Sequence, residues 1–242
     1  GSDYKNEFHY RATIFIKKLL NMKFLVNYKT IKHYFSINND GFDIVLITDP
    51  LLITSVKEVL KNYNSRLRKT KIVYWDHGTL MGYLRLRTKR ALYEEEIVCS
   101  IRDADAYLAI SSEIAEEIRR YKEDATIYLV YNPVERYEGP LINRPAKPIF
   151  IYVGRLSDRD KNISFMLKGF SMLKYKEWEL KIIGTGPDEK RLKNLTEKLN
   201  ISDKVSFEGF KKEPFKEIKE ATALVLTSRW EGFPLVLVEA IQ

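Results

Sequence analysis

Short apolar runs alternate with amphipathic segments along most of this chain. Residues 42–48 form one such run, which ends at Asp49. Uniformly apolar runs of this length are typical of parallel strands that are buried on both faces. Residues 51–63 then carry apolar positions at helical spacing, which predicts a helix with one buried face. The same alternation predicts strands at 71–77, 106–111 and 127–133, and a helix that Ser111 or Ser112 caps.

This alternation is interrupted once. Residues 134–148 contain three prolines, one glycine and no apolar period, which predicts a linker between domains. Strands that alternate with helices on both sides of it indicate a doubly wound α/β sheet. We therefore expect two Rossmann-like domains, at 3–138 and 149–242, joined by a linker at 139–148. The second would contain strands at 149–154, 178–184, 205–210 and 223–228, and helices at 163–173, 188–199, 213–220 and from residue 235.

The composition is that of a globular protein with a basic surface. Of the 242 residues, 45% are hydrophobic and 31% charged, and the formal net charge is +8. A positive excess favours polyanionic partners such as nucleic acid, anionic membranes or phosphorylated substrates. The excess is spread over both halves of the sequence, which argues against a nucleic-acid-binding tail. An ordinary solvated surface explains it equally well.

Cysteine and histidine usage predicts an intracellular protein without a metal site. Cys99 is the only cysteine, so no internal disulfide can form, and this favours a reducing compartment. His9, His33 and His77 are scattered along the chain, which provides no metal cluster. No apolar stretch approaches the ~18 residues of a transmembrane helix.

The strongest candidate site contains Glu231 and Glu239, in the segment TSRWEGFPLVLVEA. Glu231 follows a predicted strand and Glu239 lies in the helix behind it. In an open α/β sheet, ligands bind beyond the carboxyl ends of the strands, where carboxylates can accept hydrogen bonds from sugar hydroxyls. Gly232 and Phe233 would present backbone amides at the helix start, with Pro234 as its first residue. An acid that merely stabilises the helix dipole gives the same pattern.

A second group of residues follows the strand predicted at 149–154. Gly154 ends this strand, Arg155 follows it, and Lys161 lies further along the same loop. Two cations in a strand-to-helix loop can neutralise a diphosphate leaving group, arginine as a planar fork and lysine as a point charge. Without further context, such cations are also typical of a solvated loop.

Two pairs of residues accompany these loops. Gly184 and Gly186 form a tight turn between a predicted strand and helix, a pattern that also occurs where α/β units are simply connected. Gly209 and Phe210 end the strand at 205–210, where a hairpin or a core aromatic is an equally good interpretation.

Other polar features have less specific interpretations. His77 ends a predicted strand and can hydrogen-bond a hydroxyl or steady a charge, and a structural role is equally typical. The Asp-x-Asp patterns at 103–105 and 158–160 look like metal ligands, but the first precedes a strand and the second lies in the Arg155 loop. Residues 83–90 form a basic amphipathic run that suits anionic lipid, a phosphorylated acceptor or an ordinary helix surface.

Together these motifs resemble glycosyltransferase family 4. The Arg and Lys of that family resemble those of the VGRL segment and Lys161, and its Glu-x7-Glu motif resembles EGFPLVLVE. The likeness is strongest over 150–240. The resemblance implies a GT-B fold, in which two Rossmann-like domains face a cleft, with the acceptor on the N-terminal side and the nucleotide sugar on the C-terminal side. AISS and YNPVE add a likeness to bacterial lipopolysaccharide and capsule galactosyltransferases that use UDP-galactose.

The resemblance also implies a role for each candidate residue. Arg155 and Lys161 would clasp the donor diphosphate, Glu231 would meet the donor sugar, and Glu239 would meet the ribose. His77, facing the interdomain cleft, would lie near the reacting sugar. The other donor-binding positions would be Gly154, Gly184 and Gly186 near the nucleotide, Gly209 and Phe210 at its base, and Gly232, Phe233 and Pro234 beside Glu231.

The implied activity is retaining transfer of a hexose from a nucleotide sugar to a glycan or lipid-linked acceptor, in bacterial surface polysaccharide synthesis. The donor would be a UDP-sugar, UDP-galactose or UDP-GlcNAc. We expect no metal or other cofactor and no nucleic-acid partner. The enzyme would work in the cytoplasm or at the inner face of the membrane, in contact with anionic lipid.

The chain departs from the family pattern at both ends. The opening strand with its glycine-rich loop, and the last part of the donor domain, are not recognisable in the sequence. We therefore expect a piece of a longer enzyme, which by itself would bind nucleotide poorly or be inactive. Three alternatives remain open: a UDP-sugar epimerase of the same fold, a basic nucleic-acid-binding module and a noncatalytic partner subunit.

Overall fold

The structure is a computed structural model that describes residues 32–33, 42–62, 69–78, 94–139, 141–175 and 177–242. His9 and the basic run at 83–90 lie outside the described residues. The chain divides into two compact units, Gly1–Tyr131 and Asn132–Gln242. None of the helices formed by the described residues has the length and apolar character that a membrane crossing requires.

The first unit contains a parallel four-stranded sheet with helices between its strands. The strands pair in chain order, β1-β2-β3-β4. Each predicted strand of this half is present with shorter bounds, and the one predicted at 127–133 is only Ile127–Leu129. The elements are β1 (Ile44–Ile47), α1 (Pro50–Lys61), β2 (Lys71–Asp76), α2 (Glu94–Asp103), β3 (Ala106–Ala109), α3 (Ser112–Tyr121) and β4 (Ile127–Leu129).

Alternating residues of the strands and one face of each helix build the core of this unit. Ile72 and Tyr74 of β2 and Ile53 of α1 are buried. Helix α3 begins as predicted, because Ser111 is its N-cap and accepts a hydrogen bond from the amide of Ile114 at 3.3 Å. This bond satisfies one of the amides that a helix start leaves unpaired.

The second unit repeats the architecture with a different strand order, β7-β6-β5-β8, again all parallel. Its core contains Tyr152, Leu156, Ile163, Met166, Leu167, Phe170, Trp178, Leu180, Ile182, Leu192, Ile201 and Val205. The elements are β5 (Ile149–Val153), α4 (Asp158–Lys161), α5 (Ile163–Ser171), β6 (Glu179–Ile183), α6 (Glu189–Lys198), β7 (Val205–Gly209), α7 (Pro214–Glu217), β8 (Ala223–Leu224) and α8 (Leu235–Ile241).

The strand order of the second unit reverses between β5 and β8. From β5 the chain proceeds to β6 and β7 on one side, and then returns to place β8 on the other side of β5. In open α/β sheets this reversal opens a crevice at the carboxyl ends of the two strands, and ligands bind there. The loops after β5 and β8 are therefore where this fold predicts a ligand site.

Three elements of the second unit differ from the predictions. The helix predicted at 213–220 is one turn, Pro214–Glu217, and the strand predicted at 223–228 is only Ala223–Leu224. The amide of Val225 still donates to the carbonyl of Ile151 in β5, and from Thr227 onward the chain bonds to the segment after β5. The predicted linker bonds to the segment between α7 and β8, because the amide of Asn143 donates to the carbonyl of Lys219 at 3.0 Å.

Candidate active site

The loops after β5 and β8 meet through an ion pair. Lys161 is the last residue of α4 and Glu231 lies between β8 and α8. The Nζ atom of Lys161 lies 2.7 Å from Oε1 of Glu231, and the two side chains are only 23% and 25% exposed. Such a pair is less screened by solvent than a surface ion pair. The structure thus joins the predicted lysine and the predicted glutamate at the strand reversal.

Backbone hydrogen bonds hold these two loops together. The amide of Arg229 donates to the carbonyl of Asp160 at 2.8 Å. The hydroxyl of Thr227 donates to the carbonyls of Lys161 and Asn162 at 3.3 and 3.1 Å. Asn162 has a φ of 53°, a left-handed conformation that asparagine adopts more readily than most residues. The position of Lys161 is therefore fixed by the backbone around it and not by the ion pair alone.

Arg155 extends from the loop that also leads to Lys161. Its Nη2 atom lies 2.9 Å from Oδ2 of Asp160, and its side chain is 67% exposed. Burial of Asp160 opposes ionisation, but hydrogen bonds from Ser157 and Arg155 outweigh it, so the pKa of Asp160 lies below its ordinary value. The hydroxyl of Tyr152 donates to the carbonyl of Arg155 at 3.1 Å. Arg155 is thus anchored at its base and held by a carboxylate at its tip.

A second ion cluster ties the same loop to the start of α6. In it, Nη2 of Arg191 lies 2.7 Å from Oδ2 of Asp158, and Nε lies 3.1 Å from Oδ1 of Asp188. Oδ2 of Asp188 also accepts a hydrogen bond from the amide of Asp158 at 2.8 Å. The acidic pattern at 158–160 lies in the short helix α4 and not in a loop as predicted, and its carboxylates bind internal partners. Among the described residues, no group of three or more His, Cys, Asp or Glu side chains could hold a metal ion.

The predicted glycine turn after β6 lies against the loop after β5. Gly184 has a φ of 138°, and a Cβ atom there would lie 1.9 Å from the carbonyl oxygen of Gly154. A Cβ at Gly186 would lie 2.5 Å from the carbonyl oxygen of Leu156. The amide of Gly184 donates to the carbonyl of Gly209 at 2.7 Å. Because only glycine fits these approaches, the loops after β5, β6 and β7 form one closely packed backbone layer.

The segment between Glu231 and α8 corrects one prediction. Pro234 is the N-cap of α8 and not its first helical residue, because its ψ of 89° is not helical. Its carbonyl accepts a hydrogen bond from the amide of Leu237 at 3.0 Å. The amides of Gly232 and Phe233 therefore lie in the loop beside Glu231 and not in the first turn of the helix.

Glu239 lines a recess of the second unit. It lines a cavity of about 350 Å³ together with residues 133–138 and 212–216, and neither Lys161 nor Glu231 is among the described residues that line it. The side chain of Gln242 closes one end, because its Nε2 donates to a carbonyl of the 133–138 segment at 3.1 Å. Phe210, after β7, is 76% exposed.

His77 belongs to the first unit, directly after β2. It is exposed, and its ring centroid lies 4.4 Å from that of Trp75, with 40° between the ring planes. Asp76 is buried, and its Oδ1 accepts a hydrogen bond from the amide of Gly78 at 3.0 Å. Burial raises the pKa of Asp76 to about 7. Asp76 thus fixes the backbone that presents His77.

Three residues of this site were missed in the sequence. Asp160 was assigned only to a metal-like pattern, although its position five residues after Arg155 already allowed an internal pair. Tyr152 was read only as an apolar strand residue, and Thr227 only as the end of a strand. In the second unit, seven of the predicted residues lie at the carboxyl ends of the strands or in the segments that follow them: Gly154, Arg155, Lys161, Gly184, Gly186, Gly209 and Glu231.

Comparisons with known proteins show similarity to glycosyltransferases. Residues 135–242 match the family described as glycosyl transferases group 1. The chain is 38% identical over 202 residues to lipopolysaccharide 1,6-galactosyltransferase of Salmonella typhimurium, an alignment that covers 80% of this chain and 54% of that protein. The chain spans about half the length of the curated relatives it matches.

Solved structures of glycosyltransferases are similar to this chain over most of its length. The lipopolysaccharide outer core galactosyltransferase WaaB, in its apo form, is similar with a TM-score of 0.68 and 29% identity, over 89% of this chain and 57% of that one. Anabaena Alr3699/HepE in complex with UDP-glucose is similar in fold, with a TM-score of 0.62 and 14% identity, over 89% of this chain and 60% of that one. The chain therefore has the GT-B fold of glycosyltransferases, and its residues 135–242 match glycosyl transferases group 1.

Proposed function

We propose that this chain belongs to a retaining glycosyltransferase, which moves a hexose from a UDP-sugar to a glycan or lipid-linked acceptor during synthesis of a bacterial surface polysaccharide. The observation that carries the proposal is the pairing of Lys161 with Glu231 across the strand reversal, with Arg155 in the same loop as Lys161. Cations that meet a carboxylate at this point of a parallel sheet suit a ligand with both phosphates and hydroxyls.

The two cations would act on the leaving group. As the bond between the sugar C1 and the diphosphate oxygen breaks, negative charge accumulates on the diphosphate. Arg155 and Lys161 would neutralise this charge, and preorganised groups of this kind commonly supply the largest part of catalysis. Both cations already have carboxylate partners in the protein, Asp160 and Glu231. They are therefore positioned before the ligand arrives and need little reorganisation.

Glu231 would orient the donor sugar. Lys161 contacts its Oε1, so Oε2 can accept a hydrogen bond from a sugar hydroxyl. The amides of Gly232 and Phe233 lie in the loop directly after it and would donate to the sugar or the phosphate. An oxocarbenium-like C1 would then accept the acceptor oxygen on the face that the diphosphate leaves, and the acceptor proton would pass to the departing phosphate.

The remaining residues would bind the nucleotide and the acceptor side. Glu239 would hold the ribose, with Gly184, Gly186, Gly209 and Phe210 along the nucleotide. His77 would hydrogen-bond a donor hydroxyl or steady a charge, on a backbone that Asp76 fixes through the amide of Gly78. We assign no metal and no other cofactor to this reaction.

The proposed donor and acceptor classes are inferred from the proteins that this chain is similar to. The Salmonella relative is named a lipopolysaccharide 1,6-galactosyltransferase, and the Anabaena structure contains UDP-glucose. UDP-galactose is therefore our first choice of donor and UDP-GlcNAc the second, with a lipopolysaccharide or capsule precursor as acceptor. We propose a cytoplasmic location at the inner face of the membrane, where the exposed thiol of Cys99 would remain reduced.

The test is donor turnover by the whole enzyme that contains this chain. Arg155→Ala should reduce sugar transfer from UDP-galactose by about a hundredfold or more, as loss of one group that stabilises transition-state charge commonly does. Arg120→Ala, at an exposed arginine of α3, is the matched control and should leave turnover unchanged. Equal turnover by both variants would contradict the role of Arg155. Release of a free epimer without acceptor would instead identify an epimerase.

A further inference from the structure

A large basic cavity lies at the amino ends of the strands of the first unit, whereas His77 follows the carboxyl end of β2. It has a volume of about 860 Å³ and lies where β2 begins and where α1 and α2 end. The cations that line it are Lys57, Lys61, Lys69, Lys71, Arg102 and Lys122. Because the cavity lies at the amino ends of the strands, it is distinct from the carboxyl-end loops, where ligands of α/β sheets usually bind.

The cavity carries a strong positive excess. Six cationic side chains line it against two acidic ones, Asp103 and Asp105, an excess of four charges in a protein whose formal net charge is +8. The basic residues that are spread along the sequence are therefore gathered in space. A concave surface lined by one sign of charge focuses its potential and concentrates counter-ions.

The two acids are already engaged inside the protein. Oδ2 of Asp105 accepts a hydrogen bond from the amide of Ile72 at 2.8 Å, and Oδ2 of Asp103 accepts one from the hydroxyl of Thr54 at 2.9 Å. Their remaining oxygens meet Lys71 at 3.3 Å and Lys57 at 2.8 Å. The acids therefore neutralise only part of the positive charge, and they do so through exposed or half-exposed pairs that contribute little stability.

Helix ends account for some of the cations but not for all of them. Nζ of Lys122 donates to the carbonyl of Ala104 at 2.8 Å, and Nε of Arg102 donates to the carbonyl of Tyr121 at 3.0 Å. These bonds complement the partial negative charge of helix C-termini. Lys69 is exposed and has no ion pair or hydrogen bond to any other described residue, and it leads into β2 instead of ending a helix.

We propose that this cavity binds an anion with two or more phosphate charges, supplied either by a soluble phosphorylated metabolite or by the headgroup of a phosphorylated lipid. The lysines would act as point charges around the phosphates. Arg102 would contribute its outer guanidinium nitrogens, since Nε is occupied by the carbonyl of Tyr121. The site is separate from the proposed donor site, because it belongs entirely to the first unit.

Lysine footprinting of the full chain tests the proposal locally. The protein is acetylated with and without inorganic pyrophosphate at constant ionic strength, and the rate at each lysine is read by mass spectrometry. We expect pyrophosphate to slow acetylation of Lys69 and Lys71 severalfold and to leave the exposed Lys168 and Lys198 of the second unit unchanged. A parallel experiment uses phosphatidylcholine vesicles with and without cardiolipin, whose headgroup carries two phosphates.

The two arms separate the sources of phosphate. Protection by pyrophosphate supports a soluble anion, and protection only by the anionic vesicles supports a lipid headgroup. Protection in neither arm, or equal protection of Lys168 and Lys198, overturns the proposal. Because the footprint lies in the first unit, Arg155→Ala should not change it, and failure of the proposed donor site would leave this result intact.

A charge variant gives a second measurement. In Lys69→Gln/Lys71→Gln, the pyrophosphate concentration that half-protects Lys57 should rise about five- to tenfold, as expected for the loss of two exposed charge contacts. Lys168→Gln/Lys198→Gln removes the same charge elsewhere and should leave that concentration unchanged. An equal shift in both double variants would show a general charge effect and contradict a specific site.

Discussion

Replacement of Gly184 by alanine should break the backbone layer that supports the candidate active site. Its φ of 138° is unfavourable for any residue with a Cβ atom, and that atom would lie 1.9 Å from the carbonyl oxygen of Gly154. The neighbour is backbone and cannot rotate away. Strain of this kind costs about 1–3 kcal/mol, and overpacking adds a similar amount, so we expect a loss of about 3 kcal/mol or more.

Gly169 provides a control of opposite sign. It lies inside α5, where a Cβ atom would meet nothing within 4 Å and φ is not positive. Gly169→Ala should therefore stabilise the protein by about 0.5–1 kcal/mol through helix propensity. Both variants add one methyl group to a glycine, so the difference between their free energies of unfolding isolates the effect of the close approach at Gly184.

The assay should report on the second unit specifically. Hydrogen exchange of peptides from β6, measured over a range of urea concentrations, gives the free energy of opening of the strand that ends at Gly184. The reasoning predicts a large loss for Gly184→Ala and a gain for Gly169→Ala. A neutral Gly184→Ala variant would show that the loops after β5 and β6 are not packed as described, and would refute the backbone layer.

Three further variants test other parts of the structure. Lys161→Met should lower the free energy of urea unfolding by about 1–3 kcal/mol because it leaves Glu231 half-buried without its cation. The loss should shrink when Glu231→Gln is added, and unfolding free energies that simply add in the double variant would contradict the pairing. Asp76→Asn should flatten the pH dependence of stability between about pH 4 and 7. The pKa of Asp76 in the folded protein, about 7, exceeds its ordinary value of 3.8. The stability that Asp76 contributes is therefore present below pH 4 and is lost as the pH rises. An unchanged slope would mean that Asp76 is ionised in the folded protein. Ser111→Ala should cost about 1 kcal/mol of unfolding free energy as a lost N-cap, whereas Ser112→Ala, one residue on, should be nearly neutral.

Elements with a strong local signal were predictable from the sequence. The apolar run that forms β5 and the glycine after it identified both the strand and its loop, because buried parallel strands have an unmistakable composition. Ser111 signalled the start of α3 for an equally local reason, since its hydroxyl bonds an amide three residues away. Lys161 and Glu231 were each predicted after a strand, and the structure brings them together because β8 lies beside β5.

The parts that failed depend on contacts distant in sequence. The strand predicted at 223–228 is short because Thr227 and Arg229 bond to the loop after β5, and no local pattern encodes that choice. Pro234 was expected inside the helix, but its ψ is set by the loop that carries Glu231. The cavity of six cations in the first unit was invisible for the same reason, because its residues come from separate elements.

Binding of UDP compared with UMP tests the central claim most directly, since the two nucleotides differ by one phosphate. In calorimetric titration, wild-type protein should bind UDP about tenfold or more tightly than UMP, because Arg155 and Lys161 together contribute at least about 1.4 kcal/mol to the additional phosphate. In Arg155→Ala/Lys161→Ala this preference should disappear while UMP binds as before. A double variant that keeps the full preference for UDP would contradict the account.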